Sequence, residues 1–293
     1  MKYSTEVDEE TGLLRIRAEK DFGIIKKGDL GGLIGCPENL SQNGSAWVYD
    51  EARVYGFARV CGDARVLFNA RVYGEAQVFG EAMVYGNAKV SGSARVCGAA
   101  RIYCDARVHG EAWVYGDARV YGDAKVYGDA RVSGDAQVSG TSQVHQLAQV
   151  YGDAWVYSNA RVHGDVVIHG GARVYGAARV CGAARVSGDA QIHGDARVYG
   201  DAWVYGDARI SGDARVSGNA RVTPKSLTGF PFTVTFTDNH IEIGCLFHTY
   251  EVWKERGAGM IKADGYTTKQ AKEWHKIIML IAKQHKKEQS RKT

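Results

Sequence analysis

The sequence predicts an all-β solenoid in which a short strand and a tight corner repeat every six residues. Three observations support this prediction. From Val48 to Val222 every sixth residue is Val or Ile, which gives 30 positions without an insertion. Ala stands two residues before each of them, except at Ser142 and Val166. The chain also has 37 Gly but only 3 Pro, unlike the composition of an ordinary globular domain.

Each six-residue unit follows from backbone chemistry. An apolar stripe with a period of six drifts around an α-helix, whereas Ala-x-Val alternates as a short strand with two inward side chains does. Gly followed by Asp, Glu or Asn then turns the chain, because Gly adopts positive φ and Asp bonds nearby backbone. Three units close one triangular turn, so the 30 units predict about ten turns spaced by ~4.8 Å.

The chain divides into three predicted parts. Residues 1–45 form an N-terminal β cap, residues 46–223 the solenoid, and residues 224–293 a C-terminal cap. Both ends need a cap because the open end of a solenoid is an exposed strand edge. In the C-terminal cap, the alternation in 232–237 and 241–244 predicts a hairpin, and the apolar periodicity of 268–287 predicts an amphipathic helix.

Charge and composition exclude several classes of protein. The 37 basic and 33 acidic side chains give a net charge of +4, too small to indicate a duplex nucleic acid partner. The N-terminus is charged and the longest aliphatic run, 277–282, is short, so we expect neither a secretion signal nor a membrane span. The six Cys lack paired spacing, which is typical of a reducing compartment. We therefore expect a cytoplasmic protein.

Function on a solenoid must lie on its outward side chains, which stand just before and just after each Val. Units that lie eighteen residues apart share a face, so the units divide among three faces. The face that begins at Arg53 is the most basic. Nine of its ten residues before Val are Lys or Arg, against five of ten on each other face. We call it the basic face. Its basic column is Arg53, Arg71, Lys89, Arg107, Lys125, Gln143, Arg161, Arg179, Arg197 and Arg215. Its ring column, after Val, is Tyr55, Tyr73, Ser91, His109, Tyr127, His145, His163, Cys181, Tyr199 and Ser217.

A basic column beside aromatic and imidazole rings is typical of a site for an anionic, nucleotide-like small molecule, since guanidinium forks bind oxyanions and rings stack on bases. The predicted ligand-binding residues are Lys125, Tyr127, His145, Arg161, His163, Arg179, Arg197 and Tyr199. The alternative interpretation is that Arg and Tyr merely suit exposed strand positions. In that case corner acids such as Asp129, Asp165 and Asp201 would neutralise the arginines.

Four tryptophans of the repeat occupy outward positions away from the basic face: Trp47, Trp113, Trp155 and Trp203. Exposed Trp is enriched at protein interfaces. The sequence therefore predicts a homo-oligomer with these positions at its contacts. The alternative is that they are scattered surface aromatics on a Tyr-rich sheet.

The start of the chain carries a family resemblance. Asp21-Phe22, Ile25-Lys26, Gly28, Gly31-Gly32 and Asn39-Leu40-Ser41-Gln42, followed by the first unit at 46–50, resemble the YdcK-like proteins of the hexapeptide-repeat superfamily. The resemblance implies a left-handed parallel β-helix, a trimer, and a phage or prophage origin with sequestration of a signalling nucleotide as a role. It also implies a coenzyme A-dependent acyltransferase as an alternative function. A right-handed solenoid and a purely structural scaffold or filament remain further alternatives.

The positions of the histidines bear on whether the protein is an enzyme. His145 and His163 stack on the basic face, and His169 lies on the next face of the same turn. By resemblance they would supply a general base or a metal site shared between subunits; otherwise His simply alternates with Tyr and Ser at a tolerant position. No loop interrupts the repeat to form a dry pocket, and no carboxylate is placed to orient an imidazole. We therefore predict binding without catalysis, with no catalytic residue, no metal ligand and no cofactor.

Overall fold

The computed structural model describes residues 1–217, 225–227, 234–236, 240–243, 246–263 and 265–289. The chain forms two compact units, Met1–Gly171 and Ala172–Thr293. Each unit is described by itself. The division into caps and solenoid at residues 45 and 223 stays a prediction.

The first unit begins with three antiparallel strands, Tyr3–Val7, Leu14–Ala18 and Leu30–Ile34, followed by a short 3-10 helix at Pro37–Asn39. The third of these strands lies parallel to Arg53–Val54. The antiparallel strands therefore extend the sheet of the basic face and cover its first edge, as the sequence predicts.

Seven solenoid turns follow in the first unit, with one strand on each face in every turn. The first face contains Trp47–Val48, Arg65–Val66, Met83–Val84, Arg101–Ile102, Arg119–Val120, Gln137–Val138 and Trp155–Val156. The basic face contains Arg53–Val54, Arg71–Val72, Lys89–Val90, Arg107–Val108, Lys125–Val126, Gln143–His145 and Arg161–His163. The third face contains Arg59–Val60, Gln77–Val78, Arg95–Val96, Trp113–Val114, Arg131–Val132, Gln149–Val150 and Val167–Ile168. All pairs are parallel and join residues eighteen apart, as Val54 joins Val72.

The inward columns form the core of the first unit. Every Ala and every Val or Ile of the repeat in this unit is at most 1% exposed. Val166 and Ser142, which replace Ala, are also fully buried. The Ser142 hydroxyl donates a hydrogen bond of 2.7 Å to the carbonyl oxygen of Ser139, so burying it leaves no unmet polar group. The prediction that each six-residue repeat carries two inward side chains is therefore confirmed.

The corners stack as closely as the strands do. Gly92 has a φ of +64°, and a Cβ built on it would lie 2.8 Å from the backbone nitrogen of Gly110 on the next turn. Glycine suits this position because it adopts positive φ and has no side chain to meet the neighbouring backbone. Phe68 and Cys104 take the same conformation at their corners, with φ of 60° and 59°.

The second unit continues the repeat with eight parallel strands. They are Arg173–Val174, Gln191–Ile192 and Arg209–Ile210 on the first face, Arg179–Val180, Arg197–Val198 and Arg215–Val216 on the basic face, and Arg185–Val186 and Trp203–Val204 on the third face. The last predicted six-residue repeat, around Val222, lies outside the described residues. The strands of the two units confirm a parallel β-solenoid of about ten turns, while its handedness stays a prediction.

Four antiparallel strands follow in the second unit: Lys225–Leu227, Val234–Phe236, His240–Ile243 and Leu246–Thr249. Their pairing is sequential, and Val234 pairs with Ile243. The predicted hairpin is therefore confirmed and forms the middle of a longer meander.

Two helices complete the second unit. The helix α2, Thr268–Gln289, is the predicted one, whereas α1, Tyr250–Ala263, was not predicted. The two helices pack closely at Gly257, where a Cβ would lie 2.5 Å from Cδ2 of His275. Trp253 anchors α1 to the meander, because its indole nitrogen donates a hydrogen bond of 2.6 Å to the carbonyl oxygen of Ile241. Neither described helix combines the length and apolar character needed to cross a bilayer.

Candidate functional site

The basic column of the first unit is a row of like charges in register. Its members pair across parallel strands in the order Arg53, Arg71, Lys89, Arg107, Lys125, Gln143 and Arg161. Neighbouring strands lie ~4.8 Å apart, and like charges directly opposite each other are destabilising. Only Gln143 interrupts the row of cations.

The cations of this row have no carboxylate partner within their unit. Among residues 1–171, no carboxylate oxygen lies within 4.0 Å of a basic-column nitrogen. Arg15 of the N-terminal strands shows the contrast, since its guanidinium lies 3.3 Å from Asp8 and 3.2 Å from Glu51. The corner acids Asp129 and Asp165 therefore form no direct ion pairs with the column, and its charges face solvent or a bound anion.

The rings of the ring column stack on one another along the face. His109 lies 5.0 Å from Tyr127, Tyr127 lies 4.6 Å from His145, and His145 lies 5.0 Å from His163, measured between ring centroids. Stacked rings themselves need about 4.5 to 7 Å between centroids, so no further ring fits between these. Tyr127, His145 and His163 are thus brought together as predicted, and they offer ring edges to a ligand.

Two of the stacked imidazoles have lowered pKa values. Burial lowers the pKa of His109 first, and the charges of Lys125 and Arg107 lower it further. Burial also lowers the pKa of His145, with a smaller contribution from His163. Both rings are therefore mainly neutral at pH 7, and each can donate one hydrogen bond and accept another.

The predicted cations near this stack lie on neighbouring strands. Lys125 and Arg161 flank Gln143 in register, and the Tyr127 hydroxyl donates a hydrogen bond of 3.4 Å to Oε1 of Gln143. Arg161 is exposed and Lys125 is half-buried. These side chains together form the part of the predicted site that lies in the first unit.

The remaining predicted residues lie in the second unit. Arg179 and Arg197 pair in register on parallel strands, and both are exposed. Tyr199 directly follows the strand Arg197–Val198 and is 38% exposed. This part of the site is therefore also a pair of adjacent cations beside a ring.

One position of the ring column in the first unit has no ring. Ser91 separates the stack of Tyr73 and Tyr55, whose centroids lie 5.2 Å apart, from the stack that begins at His109. Tyr73 and His109 are two strands apart, which is roughly 9.6 Å at ~4.8 Å per strand. A cavity of about 320 Å³ opens here, lined by Tyr73, Lys89, Ser91, Arg107 and His109. We call it the Ser91 gap. The sequence-based prediction missed it, although a Ser among Tyr and His in the ring column is a visible signal.

Two further cavities touch the basic column in the same region. One of about 390 Å³ lies beside the turn between the first two strands and is lined by Glu10, Thr11, Leu13, Arg53, Tyr55 and Arg71. The other, of about 230 Å³, is lined by Asn69, Arg71, Asn87, Lys89, Asp105 and Arg107. In the first unit, these concave parts of the basic face involve residues earlier in the chain than the predicted binding residues.

The prediction for Trp47 is wrong. Its side chain is fully buried, with its ring centroid 6.2 Å from Tyr3 and 5.3 Å from Phe22 in edge-to-face contacts. The physical reason is that the N-terminal strands cover the first turn, so that an outward position of the repeat becomes interior there.

The other three tryptophans are only partly exposed. Trp113 and Trp155 are half-buried, because each indole lies over the preceding turn and donates a hydrogen bond to Cys97 or Ser139. Trp203 is 38% exposed, with the Arg185 guanidinium 5.1 Å from its ring centroid. A role of these side chains at subunit contacts stays a prediction.

The histidines considered for a metal site have other neighbours. His163 stacks on His145, and His169 stacks on Tyr151 with centroids 5.1 Å apart. In the part of the chain that the structure describes, no group of three or more His, Cys, Asp or Glu side chains is arranged to hold a metal ion. The spacing Cys245-x-x-His248 is a weak metal-site signal in the sequence, and Cys245 lies outside the described residues.

Comparison with known proteins agrees with the repeat geometry. The family model described as the YdcK beta solenoid repeat matches residues 124–140, 148–164, 178–194, 190–206 and 208–223. No curated protein matches the chain in sequence. The matched segments lie in both units, and their described residues form the short strands and tight corners of the repeat. The chain is thus a parallel β-solenoid protein, and parts of residues 124–223 are similar to the YdcK beta solenoid repeat.

Proposed function

We propose that this protein is a non-catalytic binding protein that holds an anionic, nucleotide-like small molecule on the basic face. One observation supports this proposal above the others: cations stand in register on neighbouring strands of the first unit, without carboxylate partners, beside a continuous stack of rings. Within one protein such a row is unfavourable, and a bound anion would relieve the repulsion.

The proposed contacts combine charge with ring edges. In the first unit they are Lys125, Tyr127, His145, Arg161 and His163, and in the second unit Arg179, Arg197 and Tyr199. The cations would bind phosphate oxygens through charge-assisted hydrogen bonds. Because its pKa is lowered, His145 would act as a neutral donor or acceptor toward the polar edge of a base.

The assembly and the biological role are part of the same proposal. A homotrimer, and the sequestration of a signalling nucleotide by a phage or prophage protein, are what the resemblance implies. Binding without turnover is the biochemical behaviour that sequestration needs. The proposal thus requires that a bound nucleotide be recovered unchanged.

The test is a nucleotide panel measured by thermal shift and calorimetry on the full chain. Parent protein should bind at least one mononucleotide, and the variant Lys125→Gln with Arg161→Gln should bind it at least about tenfold more weakly. The matched control is Arg101→Gln with Arg119→Gln, which removes two charges that are also in register but lie on the first face. The control should bind as the parent does.

Three other outcomes would contradict the proposal or favour an alternative function. Equal binding by the Lys125 and Arg161 variant would show that these cations are only a solvated surface. Consumption of acetyl-coenzyme A would favour the acyltransferase instead. Polymerisation with concentration and no nucleotide binding would favour a structural scaffold.

A further inference from the structure

The Ser91 gap differs from two other places in the first unit where a small residue follows Val. On the third face Cys97 is 9% exposed, and on the first face Ser139 is 5% exposed. An indole from the next turn covers each of them. The indole nitrogen of Trp113 lies 3.3 Å from the sulfur of Cys97, and that of Trp155 lies 3.2 Å from the hydroxyl oxygen of Ser139. In both cases the protein itself supplies the missing planar group.

On the basic face the corresponding residue is Arg107, sixteen residues after Ser91 as each of the two indoles is after its partner. Arg107 is exposed, Ser91 remains half-buried, and the cavity between them stays open. Arg107 therefore stands over Ser91 where Trp113 stands over Cys97 and Trp155 over Ser139. A guanidinium at the rim of an open space favours an anion there.

The dimensions of the gap fit one planar ring system. A ring midway between Tyr73 and His109 would lie roughly 4.8 Å from each, at half of two strand spacings. The stacks on either side of the gap have centroid distances of 4.6 to 5.2 Å. A volume of about 320 Å³ is at the lower end of ligand pockets, which span roughly 300 to 1,000 Å³.

We propose that the Ser91 gap binds the base of a mononucleotide between Tyr73 and His109, with its phosphate on Lys89 and Arg107. The ammonium and the guanidinium belong to residues that pair in register on adjacent strands, so both can reach one phosphate at the mouth of the gap. The Ser91 hydroxyl lies between the rings and can hydrogen-bond the edge of the base. This inference rests on the ligand class of the proposed function and not on its contacts, because it places the base four turns closer to the N-terminus than His163.

The experiment uses calorimetry on the full chain with four probes: AMP, UMP, adenosine and ribose 5-phosphate. At least one of the two nucleotides should bind. Adenosine lacks the phosphate and ribose 5-phosphate lacks the base, so each should bind at least about tenfold more weakly. Ribose 5-phosphate binding as tightly as the nucleotides would overturn base stacking in the gap.

The decisive variant is Ser91→Tyr, which fills the gap with the ring that most neighbouring turns already carry. It should keep the thermal midpoint of the parent and lose nucleotide affinity by at least about tenfold. The matched control is Cys61→Tyr, which places the same ring after Val on the third face of the first unit, and it should bind as the parent does. In the parent, NMR spectra should show AMP or UMP shifting the ring protons of His109 and not those of His163, a readout that needs no variant.

The outcomes separate this inference from the proposed function. Nucleotide binding that survives Ser91→Tyr but is weakened by the Lys125 and Arg161 variant would overturn the Ser91 gap and keep the proposed function. If neither AMP nor UMP binds to the parent, the Ser91 gap is overturned, and the wider nucleotide panel then decides the proposed function. A shift of the His163 ring protons in place of those of His109 would also exclude the gap.

Discussion

The indole nitrogen of Trp155 donates a hydrogen bond of 3.2 Å to the hydroxyl of Ser139, sixteen residues earlier in the chain. Trp113 makes the same contact with the sulfur of Cys97 at 3.3 Å. An outward residue before Val therefore covers the residue after Val on the preceding turn. Contacts at a separation of sixteen, and not only the strand pairs at eighteen, determine which outward positions are open to a ligand.

The repulsion along the basic column should be measurable. Arg71 pairs with Arg53 and Lys89, so Arg71→Gln should raise the free energy of unfolding by up to ~1 kcal/mol at low salt. The gain should shrink in 0.5 M salt, because exposed charges are screened. Urea denaturation at two salt concentrations measures both effects.

The control for this prediction is Arg65→Gln on the first face. Arg65 pairs with Trp47 and Met83, which carry no charge. Its replacement should leave the free energy of unfolding nearly unchanged. A loss of stability in Arg71→Gln, or an equal gain in both variants, would contradict repulsion along the column.

The inward Ala column should not tolerate a large side chain. Ala130 is fully buried, so Ala130→Phe should lower the free energy of unfolding by at least ~1 to 3 kcal/mol through overpacking. Arg131→Phe places the same ring on the exposed neighbour and should change it by less than ~0.5 kcal/mol. Thermal or urea denaturation compares the two, and a neutral result for Ala130→Phe would mean that the column is not tightly packed.

Lys2 makes the stability of the N-terminal strands depend on pH. Its ammonium is buried and donates a hydrogen bond of 2.9 Å to the carbonyl oxygen of Ala46. Burial, followed by the charge of Lys20, lowers the pKa of Lys2 from 10.5 to about 8. Between these pH values the folded chain has released a proton that the unfolded chain still holds, so the free energy of unfolding rises with pH in this window.

The comparison is with Lys2→Met, in which nothing titrates at this position. The difference in free energy of unfolding between parent and variant should be constant below pH 8 and shift in favour of the parent from pH 8 to 10.5. Urea denaturation at several pH values measures this difference. A difference that does not change with pH would mean that Lys2 keeps its ordinary pKa.

The electrostatics of the Ser91 gap can be followed at His109. Burial lowers the pKa of this imidazole most, and the charges of Lys125 and then Arg107 lower it further. Arg107→Gln should therefore raise the pKa of His109, and Arg119→Gln on the first face should leave it unchanged. An NMR titration of the His109 ring protons gives both values. A pKa that does not respond to Arg107→Gln would mean that its guanidinium lies too far from the ring.

Much of the fold could be predicted because its periodicity is local. The Ala and Val columns are legible from Val48 to Val222 since each unit repeats the same two inward positions. The helix α2 was also predictable, because its apolar residues recur along one face. The helix α1 was not, since Gly257 and Gly259 lower its helix propensity. Its glycine at 257 is explained only by the close approach of His275.

The candidate site was predictable only in part, for a related reason. The basic column follows from residue type at a fixed spacing, which a sequence shows directly. The burial of Trp47 depends on Tyr3 and Phe22, which lie outside the repeat. The Ser91 gap depends on which side chain of the next turn covers Ser91. That cannot be predicted without knowing the contacts between residues sixteen apart.

The eighteen-residue register limits how the length of the first unit can change without altering its surface. Removing residues 94–111 would join Ser93 to Ala112 with every later residue still on its own face. Removing only residues 94–99 would instead place Arg107 on the first face and take it away from Lys89. Deleting or duplicating whole turns would therefore shorten or lengthen the row of cations. Deletions or duplications smaller than one turn would instead divide the row between two faces of the solenoid.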